Sequence, residues 1–152
     1  MIVHVERIIE IDAPPEIVWN VMADVEKWPE WTPSMRKIEK MGDKPFGKGT
    51  SFRVAPRGAP RSVWTVTECD EDRSFFWEAR SANAHAVAGH VIEPHGAGSL
   101  VTLSVDVTGS WMVKVLGPLM TMTIRRSVRQ EAEGLKRRSE ELAGTGAPAQ
   151  TS

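Results

Sequence analysis

Three histidines recur at five-residue spacing in the middle of the chain: His85, His90 and His95. Histidine titrates near neutral pH and is a common metal ligand, so the spacing raises two chemistries at once. Side chains alternate faces along a strand, which puts His85 and His95 on one face and His90 on the other. A catalytic zinc needs three protein ligands at one point. The alternation does not supply them, and no cysteine or carboxylate cluster accompanies the histidines, so no metal is expected. His90 stands apart. Ala86, Ala88 and Ile92 share its face, which is apolar and partly small-sided. It reads as a hydrogen-bonded core histidine or as a polar anchor or general acid/base facing a ligand. A register slip of one residue would turn it outward.

Other chemistry-bearing residues are less suggestive. GDKPFGKGT has the G-x-x-x-x-G-K spacing of a phosphate loop in Gly42, Gly47 and Lys48. Gly49 stands where a hydroxyl is required, Pro45 removes an N–H, and a strand follows rather than a helix, so it reads as a turn. The lone Cys69 has no base evident beside it, and no G-x-S-x-G elbow occurs, so nucleophilic catalysis lacks support. Glu78 and Arg80 share a strand face, as do Ser51 and Arg53. They read as surface cross-strand charges, with a role in orienting a polar ligand head as the alternative. Trp64 and Trp77 lie mid-strand, where each lines a cavity or fills its closed end.

These residues need a scaffold, and the chain of 152 residues with a formal net charge of -1 suits one domain. That charge argues against a nucleic-acid partner, which normally demands a basic excess. A single cysteine fits a reducing, cytoplasmic compartment. MIVHVERIIEI carries Glu6, Arg7 and Glu10 within its apolar pattern, so it reads as a strand over 2–12 and not as a signal peptide or membrane span. APPEIVWNVMAD follows as a short helix with proline in its first turn. EKWPEWTP then holds two tryptophans and two prolines, a kinked second helical turn whose Trp28 and Trp31 plug or rim one end of the core. Trp31 is expected to be the more buried of the two.

Strands are predicted over 35–41, 49–54, 62–69, 73–81, 85–94 and 99–109, separated by short turn-rich links, which implies an antiparallel meander. In the last strand Val101, Leu103, Val105 and Val107 share one face opposite Thr102, Ser104, Asp106 and Thr108, so the sheet needs a lid. From Gly117-Pro118 a helical period sets in. Met120, Ile124, Val128, Leu135 and Leu142 fall on one arc, and a helix of roughly 25 residues would span nearly 40 Å. Arg125 to Arg138, interleaved with Glu131 and Glu133, reads as its solvated face. The stretch WMVKVLGPLMTMTI, 111–124, is apolar on nearly all sides. Burial beneath the APRGAP loop and a Met-rich ligand portal are the preferred readings, a homodimer contact is an alternative, and membrane contact is disfavoured because only Lys114 offers a basic anchor. A single domain over 1–142 is expected, with 143–152 as a disordered tail.

The residues Ile11, Ala13, Pro14, Val18 and Trp19, then Asp24, Pro29 and Trp31, follow the pattern I-x-A-P-x-x-x-V-W and D-x-x-x-x-P-x-W. With FGKGTSF and GHVIEPHGAGSLVTLSV they make the chain, over about residues 5–142, resemble the START-like, helix-grip (birch-pollen-allergen-like) superfamily. More narrowly it resembles the group described as polyketide cyclase/dehydrase and lipid transport. The resemblance implies an α+β helix-grip fold: a curved antiparallel sheet of about seven strands around a long C-terminal helix, with two short helices after the first strand. It also implies a cavity between sheet and helix for a lipid, polyketide or other apolar small molecule, with His90 on the cavity side. The candidate ligand contacts are Trp31, Phe52, Trp64, Trp77, His90, Leu103, Met120 and Ile124. Binding or transport without a cofactor is the leading expectation, with a cyclase/aromatase using His90 as acid/base the alternative.

Overall fold

The structure, a computed structural model, describes the backbone of residues 2–151 and the side chains of residues 3–144. The elements run β1 (Ile2–Ile11), α1 (Pro15–Ala23), a 3-10 helix (Val25–Glu30), β2 (Met35–Met41), β3 (Ser51–Pro56), β4 (Ser62–Asp70), β5 (Ser74–Arg80), β6 (Ala84–His95), β7 (Gly98–Gly109) and α2 (Trp111–Thr151). The seven strands form one sheet in the order β1-β7-β6-β5-β4-β3-β2, with every pair antiparallel. Short turns make β2 to β7 a meander, and β1 closes the row against β7 in a register from Ile2↔Thr108 to Ile11↔Ser99. Irregularities at Met35/Lys37 and Val66/Glu68 break the strand register, and such bulges bend a strand and increase its twist. Seven antiparallel strands, two short helices after β1 and a long C-terminal helix make the helix-grip fold.

The alternation in β7 does what its residue types require. Val101, Leu103 and Val107 are buried on the inner face, while Thr108 is exposed. In α1, Pro14 caps the helix in an extended conformation and Pro15 occupies the first turn, where a missing N–H costs nothing. Val18, Trp19, Val21 and Met22 turn inward. The 3-10 helix carries Pro29 inside it, and the Trp28 indole Nε1–H donates to the Met22 carbonyl at 2.9 Å. That bond ties the second short helix to the end of the first.

The long helix begins at Trp111, not at the expected Gly117-Pro118. Ser110 starts it: its carbonyl accepts from the Val113 amide at 3.0 Å and its Oγ from the Met112 amide at 3.4 Å. Pro118 removes one donor from the helix ladder but does not end it. The helical backbone runs to Thr151, and most of the expected tail over 143–152 falls outside the described side chains. Val113, Val128, Ala132 and Leu135 face the sheet, whereas Leu142 is exposed. Gly134 lies so close to the 3-10 helix that an added Cβ would stand 2.0 Å from the Trp31 carbonyl oxygen.

The 111–124 stretch is not buried under the loop between β3 and β4. Val113 packs against Val3 and Val107, but Trp111, Val115, Leu116, Leu119 and Met122 are 44% to 71% exposed. At 100° per residue Trp111, Val115, Leu119 and Met122 share one outward face. No helix among the described residues is long and apolar enough to cross a membrane.

Candidate functional site

Between the inner face of β3 to β7 and the middle of α2 lies a cavity of ≈ 250 Å³. Trp64 on β4, Trp77 on β5, Ala88 and His90 on β6, and Leu103 and Val105 on β7 form the sheet wall. Ile124, Ser127, Val128 and Glu131 form the helix wall. Arg57, Ala59 and Pro60 on the β3–β4 loop and Thr123 on α2 are lining residues that are also exposed, so they mark the opening. The main core continues past the closed side, where Phe46, Phe52, Phe75, Trp19, Trp28 and Trp77 make a chain of edge and tilted ring contacts at 5.1–6.3 Å.

His90 is held from three directions. Its ring stacks on Phe75 with centroids 4.0 Å apart and planes 10° from parallel, and it meets Trp28 and Trp77 at 5.5 and 5.8 Å. Its Nδ1 lies 3.2 Å from the Phe75 carbonyl oxygen. A carbonyl only accepts, so Nδ1 carries the proton and, in the neutral ring, Nε2 presents a lone pair. Nε2 points to Glu131 Oε2 at 3.9 Å. The two side chains are 3% and 12% exposed.

That distance is within reach of an ion pair, yet burial favours the uncharged forms of both groups. Desolvation pushes the His90 imidazolium down to about 4, against a smaller opposing effect of the Phe75 carbonyl. Desolvation pushes the Glu131 carboxyl up to about 8. Near pH 7 the cavity therefore holds a neutral imidazole facing a protonated carboxylic acid, an acceptor opposite a donor. Other lining hydroxyls are Ser34, Ser62, Ser104, Thr123 and Ser127.

Of the expected contacts, Trp64, Trp77, His90, Leu103 and Ile124 meet around this cavity, and Trp31, Phe52 and Met120 do not. Trp31 packs on Trp28 with ring centroids 5.6 Å apart, and its backbone presses on Gly134. Trp28, 1% exposed, is more buried than Trp31 at 4%, the reverse of the expected order. The indole bond to Met22 draws Trp28 inward beneath α1. Phe52 is one layer deeper, against Phe46 and Trp77. Met120 packs near Val3, Val107 and Val113, in a separate small core cluster.

Glu131 corrects the reading of 125–138 as wholly solvated. It lies seven residues after Ile124 and three after Val128, hence on their face of the helix. That phase was available from the residues, but its charge among arginines masked it. The other histidines diverge as strand alternation demands. His85 Nε2 meets Glu78 Oε2 at 2.8 Å and His95 Nε2 meets Glu10 Oε1 at 3.4 Å, away from His90. Glu78 also pairs with Arg80 at 3.6 Å, a surface charge cluster. In the Gly42–Thr50 turn the amides of Gly47, Gly49 and Thr50 are bonded to Thr50 Oγ1, the Val66 carbonyl and the Gly47 carbonyl, so the loop spends its donors on itself and on β4.

A long helix gripped by a seven-stranded antiparallel sheet, with an apolar cavity between them, defines a START-like, helix-grip protein. The polyketide cyclase / dehydrase and lipid transport family model matches residues 3–140, and the chain belongs to that family. A START superfamily protein from Mycobacterium smegmatis superposes with a TM-score of 0.77 at 18% identity, covering 91% of this chain and 98% of that one. The Zhui aromatase/cyclase from Streptomyces sp. R1128 gives 0.77 at 17% identity, with 93% and 96% covered. At these identities the likeness is one of fold. An uncharacterized protein of Mycobacterium bovis is 34% identical over 50 residues, 33% of this chain, and the match covers 30% of that protein's length.

Proposed function

We propose that this chain binds a small apolar molecule in the cavity between the sheet and α2. The observation that carries the reading is the largely apolar cavity itself, open at the β3–β4 loop and walled by Trp64, Trp77, Leu103 and Ile124, with His90 and Glu131 3.9 Å apart on its facing walls. Ligand sites commonly have this composition: mostly apolar wall and few placed polar atoms. At ≈ 250 Å³ the cavity lies just below the roughly 300–1,000 Å³ of pockets that take drug-sized ligands. That suits a molecule of one or two rings or a short chain better than a two-chain lipid. The half-buried lone Cys69 fits a reducing, cytoplasmic setting.

Two of the wall residues are tryptophans, so ligand entry is expected to change intrinsic fluorescence. The test is a titration with short-chain lipids, small aromatics and aromatic polyketides, together with mass spectrometry of solvent extracts from gently purified protein. Saturable quenching or a co-purifying apolar molecule supports the reading. A flat response across the panel with clean extracts overturns it.

A second reading, a cyclase or aromatase, is favoured by one observation: an acceptor and a proton donor face each other inside a largely apolar cavity. Positioning a flexible chain between them would supply much of the acceleration. Turnover of a linear poly-β-ketone that is lost in His90→Ala supports it. Turnover unchanged in that variant removes His90 from the chemistry.

A further inference from the structure

The cavity holds a more specific instruction than its apolar walls convey. The Phe75 carbonyl fixes the His90 tautomer, so the nitrogen facing the cavity is Nε2 with its lone pair. Glu131 Oε2 stands opposite at 3.9 Å. This is too long for a direct hydrogen bond. It is the spacing of two atoms joined through one oxygen: an oxygen about 2.8 Å from each subtends an angle of roughly 90°. Trp77, Leu103, Ile124 and Val128 line the same cavity as the pair, together with the hydroxyls of Ser104 and Ser127.

Deepening the proposed function and resting on it, the geometry points to a hydroxyl-selective site: the cavity takes a small uncharged molecule with one alcohol, phenol or enol group, whose oxygen bridges His90 Nε2 and Glu131 Oε2. The hydroxyl donates to the imidazole and accepts from the carboxylic acid, so both polar groups are satisfied at once. An ether or ketone oxygen satisfies only the acid. A hydrocarbon satisfies neither. A carboxylate would bring a bare anion into an apolar space. Among the lining residues of β3 to β7, the β3–β4 loop and α2, the ionisable groups are His90, Glu131 and Arg57. Arg57 is at the opening, where its Nε donates to the Pro33 carbonyl at 3.0 Å, so it offers no buried counter-charge.

Four probes built on one ethylphenyl frame test this by calorimetric titration of the full chain at pH 7: ethylbenzene, 4-ethylphenol, 4-ethylanisole and 4-ethylbenzoate. The wild type is expected to bind 4-ethylphenol about tenfold or more tighter than ethylbenzene or 4-ethylanisole, the factor for one or two net hydrogen bonds, and 4-ethylbenzoate weakest. Glu131→Leu is expected to reduce the phenol preference below about threefold while ethylbenzene still binds, and Glu131→Gln, which keeps a donor, to retain most of it. Equal wild-type affinities for ethylbenzene and 4-ethylphenol overturn the hydroxyl site and leave apolar binding standing. A phenol preference that survives Glu131→Leu overturns the bridging assignment. Absence of binding by all four probes overturns this proposal, while the broader reading falls only with a flat response across the lipid, aromatic and polyketide panel and clean extracts.

Discussion

Glu131 and His90 are each uncharged near neutrality because each is buried, and this leaves a mark on stability. The Glu131 carboxyl titrates at about 8 in the fold against 4.5 for an ordinary glutamate. Above the lower value the unfolded chain ionises while the native one keeps its proton, so stability falls as pH rises through that window. His90 acts in the opposite sense. Its ring titrates at about 4 in the fold against 6.5 ordinarily, so the unfolded chain gains a proton first as pH falls, and stability is lost from about 6.5 down to about 4. The two trends oppose one another between about 4.5 and 6.5, and the Glu131 trend acts alone from about 6.5 to 8. Urea unfolding of wild type and Glu131→Gln should therefore diverge over pH 6.5–8, with wild type losing up to about 1.4 kcal/mol per pH unit relative to the variant. Parallel curves would mean that Glu131 is already ionised at pH 6.5. Trp28 makes a simpler prediction. Trp28→Phe keeps an aromatic ring but removes the indole's second ring and its Nε1–H bond to the Met22 carbonyl, and is expected to cost about 2–4 kcal/mol by chemical denaturation.

At the scale of elements, the contact between α2 and the 3-10 helix is set by one missing side chain. Gly134 lets the helix approach until the Trp31 carbonyl stands where a Cβ would be, and Arg137 Nη2 donates to the same carbonyl at 3.1 Å. Alanine normally gains about 1 kcal/mol over glycine inside a helix. Here Gly134→Ala is expected to lose about 1–3 kcal/mol net, because a backbone atom must move. Thermal unfolding measures the sign, and a raised Tm would show that the helices can part without cost. Little of this contact was legible beforehand. The strands, the short helices and the lid followed from period two, period 3.6 and turn chemistry, which act over neighbouring residues. The N-terminus of α2 was misplaced because Gly117-Pro118 looks like a boundary, and the Ser110 cap seven residues earlier carries no apolar period to announce it. For the site, alternation puts Leu103 on the inner face and separates His90 from His85 and His95, the cavity side of His90 follows from the family resemblance, and Trp64 and Trp77 stay open between lining the cavity and filling its end. Trp31, Phe52 and Met120 went elsewhere because their positions depend on how deep each layer packs, and Glu131 was hidden by charged neighbours.

At the scale of the molecule, the apolar strip on α2 lies outside the core. Leu119 and Met122 are 64% and 68% exposed, so Leu119→Lys and Met122→Lys remove little buried surface. Each is expected to change stability by no more than about 0.5 kcal/mol, the ordinary range for surface substitutions. A loss of several kcal/mol in either would return the strip to the core.

The pairing of β1 with β7 has a consequence in time as well as in space. β1 sits at one edge of the sheet, and β7 is its one strand neighbour. A chain emerging from the ribosome at roughly 5–20 residues per second exposes β1 several seconds before its partner exists. Until then Val3, Val5, Ile9 and Ile11 have no strand to pair with, and the lid that covers them is last to appear. Contacts across so much sequence place such a fold among the slower ones, in milliseconds to seconds. Synthesis sets the order of events: β2 to β7 can assemble hairpin by hairpin, and β1 is added to the β7 edge only once that last strand has been made.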